Sequence, residues 1–197
     1  MKVGIINYGS GNLGSIYQSI KKIGFKSEIL SNPGDLKNFD KLILPGVGNF
    51  SKAKDLLDNS GWTENIHDLV LKQKKPLLGI CLGMQLLADW GFEGAKKKGF
   101  EKIKGLGFIE GEVKNLSLLG CTERVPHMGW NSVTWEKSHK ILDGIISNTD
   151  FYFVHSYAFC PKNLDSVVAI ADYGIPVTAI VAKNNVWGTQ FHPEKSS

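Results

Sequence analysis

The stretch Leu77-Leu78-Gly79-Ile80-Cys81-Leu82-Gly83-Met84-Gln85 constrains this chain more than any other. A short apolar run ends in a cysteine held between two glycines, and an apolar helical pattern follows at once. Such a layout is a tight strand-to-helix turn, an elbow that lifts one side chain out at the carboxyl edge of a sheet. Gly79 and Gly83 leave room for the strained turn and for close helix packing. A helix beginning near Leu82 would aim free backbone N–H groups and its positive end at Cys81, favouring thiolate over thiol. The plainer reading is inert core, since cysteine is among the residue types most often buried.

Around this elbow the first half alternates. Lys2 to Ile6 reads as a buried strand, and Leu13, Ile16, Tyr17, Ile20 and Ile23 then recur at helical spacing with Ser10 or Asn12 placed to cap. Gly24 ends that helix, Lys26 to Leu30 is a second strand, Asn32 to Asp35 a turn, and Lys41 to Leu44 a third strand. Trp62, Ile66, Leu69 and Val70 mark a helix before the strand that leads to Cys81. Strands alternating with helices imply right-handed crossovers and a parallel sheet covered on both faces. The second half changes character: strands are predicted at Phe108 to Val113, Ser132 to Trp135, Phe151 to Tyr157, Val167 to Tyr173, Val177 to Lys183 and Val186 to Gln190. Short turns between several of them make part of the sheet antiparallel. The expected class is therefore α/β, one domain over residues 1–197, with the lysine-rich stretch from Gly91 to Gly107 a loop and not a boundary.

Size and charge narrow the partners. The chain has 197 residues, enough for one domain, and no apolar run approaches the length of a membrane span. Its first residues are too soon interrupted to form a signal peptide. Three cysteines, Cys81, Cys121 and Cys160, have no metal-like spacing and suit a reduced, cytoplasmic protein; no metal or cofactor is expected. The net charge of +4 is small and spread out, and Arg124 is the sole arginine. Nucleic acid is thereby disfavoured as a partner, since bidentate arginine contacts are nearly unavailable.

Gly9-Ser10-Gly11-Asn12-Leu13-Gly14 is a literal G-x-G-x-x-G between a strand and a helix, with Glu28 in the next strand. That is the dinucleotide fingerprint by rule. The competing reading is a tight βα turn, and two ligand sites along one sheet edge would be crowded in so small a domain.

A nucleophilic cysteine needs a base to take its proton and a third group to orient that base. His192 falls where the last strand gives way to a loop, and Pro193 fixes the backbone so that Glu194 can reach back to the imidazole. Cys81, His192 and Glu194 make a complete set of nucleophile, base and orienter. Of the other histidines, His67 and His139 are expected to be solvated, and His127 and His155 to be satisfied core or interface groups.

Gly79 to Gln85 together with Gln190-Phe191-His192-Pro193-Glu194-Lys195-Ser196 resembles the class I (triad) glutamine amidotransferases. Within them, three further segments resemble the glutaminase subunits of imidazole glycerol phosphate synthase: Pro45-Gly46-Val47-Gly48, Pro126 to Asn131, and Tyr152 to Tyr157. The opening Asn7 to Asn12 has the same likeness, which gives the glycine motif another explanation. The resemblance runs nearly the whole chain and implies a flavodoxin-like fold.

It further implies that Cys81 attacks the side-chain amide of glutamine, with His192 as proton shuttle and Glu194 orienting it. The oxyanion would be held by the Leu82 N–H and by an N–H of the Gly46-Val47-Gly48 loop, where a partner acts to shift the donor into place. Gln85 and the Ser156-Tyr157 backbone would hold the glutamine. The implied partner is a (β/α)8-barrel synthase subunit in a heterodimer, with Tyr8, Asn12, Trp130 and Lys195 on the docking face. Two departures stand out. The family pattern continues into a terminal helix where this sequence ends at Ser197, which suits a trimmed form of a longer chain. The stretch Asp89 to Gly94 lacks the usual acidic character, which suits a paralogous subunit feeding ammonia to an amidotransferase of surface sugars. From another class, a stand-alone cysteine peptidase or γ-glutamyl hydrolase would use the same triad.

Overall fold

The computed structural model describes residues 1–196. A nine-stranded sheet runs through it, built from β1 (Lys2–Ile6), β2 (Lys26–Leu30), β3 (Lys41–Leu44), β4 (Leu77–Ile80), β8 (His127–Thr134), β9 (Thr149–His155), β11 (Val167–Asp172), β12 (Pro176–Lys183) and β13 (Val186–Thr189). Their spatial order is β2-β1-β3-β4-β13-β12-β11-β8-β9. Neighbours are parallel from β2 to β13 and antiparallel from β13 to β9, following the change of pattern along the sequence.

The inner parallel strands β1, β3 and β4 are buried on both sides, so most of their residues are apolar, whereas the edge strand β2 is largely exposed. Ile6, Leu42, Leu44 and Leu77 face one core with Trp62 and Leu57. Val3, Ile5 and Ile80 face the other, against Ile16 and Ile20 of α1 (Leu13–Lys22). Each such side chain contributes about 1.5–3 kcal/mol by leaving water, as an upper bound.

Several features depart from expectation. A helix, α2 (Phe50–Asn59), fills residues that carry no helical reading above, and packs with α3 (Trp62–His67) over the first core. Asn32 to Asp35 opens a 3-10 turn over Pro33–Asn38, and the π-helical turn Asp68–Lys72 extends α3. The predicted strand from Phe108 lies later, at β7 (Gly111–Asn115), while Phe108 and Ile109 enter the core as loop residues.

A second sheet has the order β10-β7-β5-β6, with β5 (Trp90–Gly91), β6 (Ile103–Lys104) and β10 (Tyr157–Pro161). The loop from Gly91 to Gly107 is thus pinned by two short strands. The single strand predicted from Phe151 to Tyr157 breaks at Ser156, where the chain passes from β9 in the large sheet to β10 in the small one. That corner stands beside the elbow after β4, and helix α4 (Leu82–Leu86) starts there.

Candidate active site

Both glycines of the elbow are required by contact. A Cβ on Gly83 would lie 1.8 Å from the Leu44 carbonyl oxygen, and one on Gly79 would lie 2.6 Å from the carbonyl oxygen of Gly83. Between them Cys81 is held at φ 54°, ψ −111°, outside the usual regions for an L-residue. Such backbone costs about 1–3 kcal/mol and persists only where surrounding packing imposes it. The turn aims Cys81 into a cavity of about 320 Å³ that it shares with Leu82, Gln85, Glu93, Tyr157 and His192. A larger groove of about 630 Å³ beside Trp135 and Leu164 is lined by no cysteine or histidine among the described residues, whereas the smaller one brings Cys81 and His192 together.

His192 reaches this cavity from the strap that follows β13. Its Nδ1 lies 2.8 Å from Glu194 Oε1, and its Nε2 is buried with no hydrogen-bond partner among the described residues. Burial alone would push the ring down; the hydrogen bond to Glu194 and the negative charges of Cys81 and Glu194 overcome it and carry His192 up to about 9. The strap is tied to β9: the His192 N–H donates to Tyr152 O at 2.9 Å, and Ser196 Oγ accepts the Tyr152 N–H at 3.0 Å while donating to His192 O at 2.7 Å. The sequence reading brings Cys81, His192 and Glu194 together, and the structure does the same; it missed Ser196.

The neighbouring polar groups are mostly engaged. Gln85 Nε2 donates to Tyr157 O at 2.8 Å and to Gln190 Oε1 at 3.0 Å, and Gln190 Nε2 lies 3.7 Å from Cys81 Sγ. Ser156 and Tyr157 line the cavity, and the Ser156 carbonyl accepts the Leu116 N–H at 2.9 Å. In the Pro45-Gly46-Val47-Gly48 loop, a Cβ on Gly46 would sit 2.9 Å from Leu82 Cβ and 3.0 Å from Gly83 N, so the loop lies against the elbow. The Val47 N–H, however, donates to Ser10 Oγ at 3.2 Å and is not turned to Cys81. Ser10 is therefore the use to which the glycine-rich opening is put. Gly11 has φ 123°, a Cβ on it would be 2.9 Å from Pro45 Cβ, and the turn packs on the loop, leaving no cradle for a pyrophosphate.

Glu93, unassigned by the sequence reading, is the one carboxylate that lines the cavity among the described residues. Burial raises its carboxyl above the usual range against the lowering effect of the Phe50 N–H, which donates to Oε2 at 2.8 Å.

The docking residues divide. Trp130 is 58% exposed and meets Tyr152 edge to face at 6.1 Å. Lys195 is exposed with Nζ 5.5 Å from the centre of the same Tyr152 ring, so the three share one face. Tyr8 corrects its assignment: it is 4% exposed, wedged under Gly46 with its hydroxyl 2.7 Å from where a Cβ would be. A buried phenol cannot meet a partner. Asn12 is half-buried and precedes α1, its carbonyl accepting the Ile16 N–H at 3.3 Å.

His67 also differs from expectation. It is half-buried, its ring 4.8 Å from that of Phe108, and burial lowers its pKa. His139 accepts the Ile141 N–H in a 3-10 turn at 3.2 Å. His127 and His155 are buried and face each other at 3.0 Å between Nδ1 and Nε2. Burial pushes His127 down to about 4 and His155 to about 3, so both are neutral near pH 7. No group of three or more metal-ligating side chains occurs among the described residues, and no described helix is long and apolar enough to cross a membrane.

Comparison with known proteins agrees with this geometry. The class I glutamine amidotransferase family model matches residues 4–197. The imidazole glycerol phosphate synthase subunit HisH of Desulfitobacterium hafniense is 41% identical over 195 residues, covering 99% of this chain and 88% of its own length. Subunit HisH 1 of Campylobacter jejuni is 44% identical over 198 residues, covering 98% and 92%. Among solved structures, a crystal structure of a glutamine amidotransferase superposes with a TM-score of 0.74 at 20% identity, covering 98% of this chain and 91% of that one. The structure of PurLQS from Thermotoga maritima gives 0.72 at 17% identity, covering 98% and 87%. With an amidotransferase fold, an elbow cysteine facing a carboxylate-held histidine and relatives matched almost end to end, the chain belongs to the class I glutamine amidotransferases, among the HisH subunits of imidazole glycerol phosphate synthase.

Proposed function

We propose that residues 1–197 act as one glutaminase domain, splitting glutamine into glutamate and ammonia through Cys81, His192 and Glu194. Cys81, its proton already held by His192 Nε2, attacks the amide carbon as thiolate, and Glu194 at Nδ1 stabilises the imidazolium. Collapse of the tetrahedral intermediate breaks the C–N bond, and His192 returns its proton to the departing ammonia. The γ-glutamyl thioester is then hydrolysed by a water that His192 deprotonates. The oxyanion is taken by the Leu82 N–H and, after the peptide between Gly46 and Val47 turns away from Ser10, by the Val47 N–H. Glu93 faces the positive α-ammonium of the substrate, and Gln85 braces the Ser156-Tyr157 corner against its other end.

The observation that carries this reading is the 2.8 Å bond between His192 and Glu194 in the cavity that also receives Cys81. The ammonia passes to a synthase subunit with a (β/α)8 barrel that makes imidazole glycerol phosphate, docked on the face of Trp130, Tyr152 and Lys195. The heterodimer works in the cytoplasm without metal or cofactor.

Cys81→Ala tests it. Glutamine hydrolysis should fall by about four orders of magnitude or more, with partner binding and ammonia-dependent synthesis retained. Loss of all three would make the cysteine structural. Capture of a sugar-modifying amidotransferase in place of the histidine-pathway barrel would keep the half-reaction and overturn the partner. Efficient cleavage of peptides by the lone chain would replace the proposal by a hydrolase.

A further inference from the structure

Hydrogen bonds around the two buried histidines can each have only one direction. His155 Nδ1 lies 2.9 Å from the Tyr157 carbonyl oxygen, and a carbonyl only accepts, so Nδ1 carries the proton. The bare Nε2 of that neutral ring faces His127 Nδ1 at 3.0 Å, so His127 is the donor there. His127 Nε2, bare in turn, accepts from Asn131 Nδ2 at 3.2 Å. The Asn131 amide is oriented by its other bonds: Nδ2 donates to Asp172 O at 2.8 Å, and Oδ1 accepts the Ser132 N–H at 2.8 Å. All these donors therefore point from β8 towards the cavity, and they end on the same Tyr157 carbonyl that Gln85 holds from the other side at 2.8 Å.

We propose that Asn131, His127 and His155 are positioning residues for glutamine binding, a one-way chain of hydrogen bonds that fixes the Tyr157 carbonyl and with it the Ser156-Tyr157 corner of the cavity. The proposal rests on the reading that this cavity takes glutamine. Without the His127 donor, His155 Nε2 is left unpaired in a buried place. Its ring is then held by the Nδ1–H bond alone and tilts to let water or another donor reach Nε2, which loosens its grip on the Tyr157 carbonyl. Both faces of the corner lose definition at once, while Cys81, His192 and Glu194 stay as they are. Binding of substrate suffers, and the chemical step does not.

Packing offers the competing account, because His127 is stacked between Phe153 at 4.6 Å and Tyr173 at 3.9 Å. Two substitutions separate them. His127→Phe keeps an aromatic ring in the stack and removes the donor. His127→Asn sacrifices the stack and keeps an N–H at the place of Nδ1. The probe is 6-diazo-5-oxo-L-norleucine, a glutamine-shaped electrophile, with labelling of Cys81 followed by mass spectrometry at increasing concentration. His127→Phe should raise the half-saturating concentration about tenfold, as for a buried acceptor left unmatched. Its maximal rate should stay within about twofold, as for a change confined to binding. His127→Asn should label like the parent in spite of a lower melting temperature. Ring nitrogen shifts in ¹⁵N spectra should report His155 protonated at Nδ1 in the parent and the Asn variant, and altered in the Phe variant. Parent-like labelling by His127→Phe, or equal impairment of both variants, would overturn the inference. Failure of the parent itself to label saturably at Cys81 would instead sink the glutamine reading, and this inference with it.

Discussion

Ser10 and Val47 are joined by two hydrogen bonds: Ser10 Oγ donates to Val47 O at 2.7 Å and accepts the Val47 N–H at 3.2 Å. The Val47 N–H, which we propose as an oxyanion donor, is thus turned away from the elbow with its peptide. Rotation of that peptide would free it, and Gly48 at φ 92° and the small Gly46 allow the loop to turn. One neutral hydrogen bond is worth about 0.5–1.5 kcal/mol net, so the latch is weak enough for a partner to release.

Ser10→Ala removes the acceptor that holds the Val47 N–H. Glutamine hydrolysis by the lone chain should rise about three- to tenfold, the rate equivalent of one such bond. Steady-state ammonia release with and without partner checks it. A partner-saturated rate unchanged alongside the raised basal rate marks the latch; a basal rate unchanged or lowered refutes it.

The His192 ring, carried up to about 9, has a consequence for stability. A group whose folded pKa exceeds its unfolded value of about 6.5 stabilises the fold fully below that value and loses the contribution as pH rises through the folded one. The unfolding free energy should therefore decline between about pH 6.5 and 9, by on the order of 3 kcal/mol. Glu194→Gln removes one of the two groups that raise the ring and should flatten the decline. Denaturant titrations across that range, parent against variant, measure both slopes. Parallel slopes would separate Glu194 from the ring's charge.

The elbow and the triad were legible because each rests on local rules: glycines where a backbone passes close, an apolar run ending at Cys81, a proline that turns Glu194 back. The inner parallel strands were equally plain, since burial on both faces leaves short apolar runs such as Leu42-Ile43-Leu44. Helix α2 was masked because two of its buried positions are Ser51 and Lys54, the lysine reaching out to Asp58 at 2.5 Å. Tyr8 was misplaced because the resemblance puts the opening turn on the docking face, and only the structure shows the loop from Pro45 lying over its side chain. The pairing of Ser10 with Val47 and of His127 with His155 joins residues far apart in the chain, which no spacing within one segment can express. Tyr152, between Trp130 and Lys195, escaped for the same reason.

Gly83 and Gly14 should respond oppositely to the same substitution. With the Leu44 carbonyl 1.8 Å from the added Cβ, Gly83→Ala forces β3 and α4 apart and should cost about 4 kcal/mol or leave the chain unfolded. Gly14 lies in α1 with nothing within 4 Å of an added Cβ among the described residues. Gly14→Ala should stabilise the protein by about 0.5–1 kcal/mol through helix propensity. A true dinucleotide fingerprint would need that third glycine for close packing of helix on strand, so a destabilised Gly14→Ala would revive the fingerprint. Thermal melts of both variants decide it.

Glu93 carries the last prediction. Its carboxylate lines the cavity and also accepts the N–H at the start of α2, where an anion is favoured. Glu93→Gln keeps an acceptor for Phe50 and removes the charge, so the helix is retained while the attraction for the α-ammonium of glutamine is lost. Charge-assisted hydrogen bonds are worth about 1.5–3 kcal/mol, and KM should accordingly rise at least about tenfold with kcat little changed. Glutamine lacking its α-amino group should discriminate further: the parent should disfavour 4-carbamoylbutyrate strongly, and the variant should accept the two amides about equally. A variant that loses kcat at constant KM would move Glu93 from holding the substrate to taking part in the chemistry.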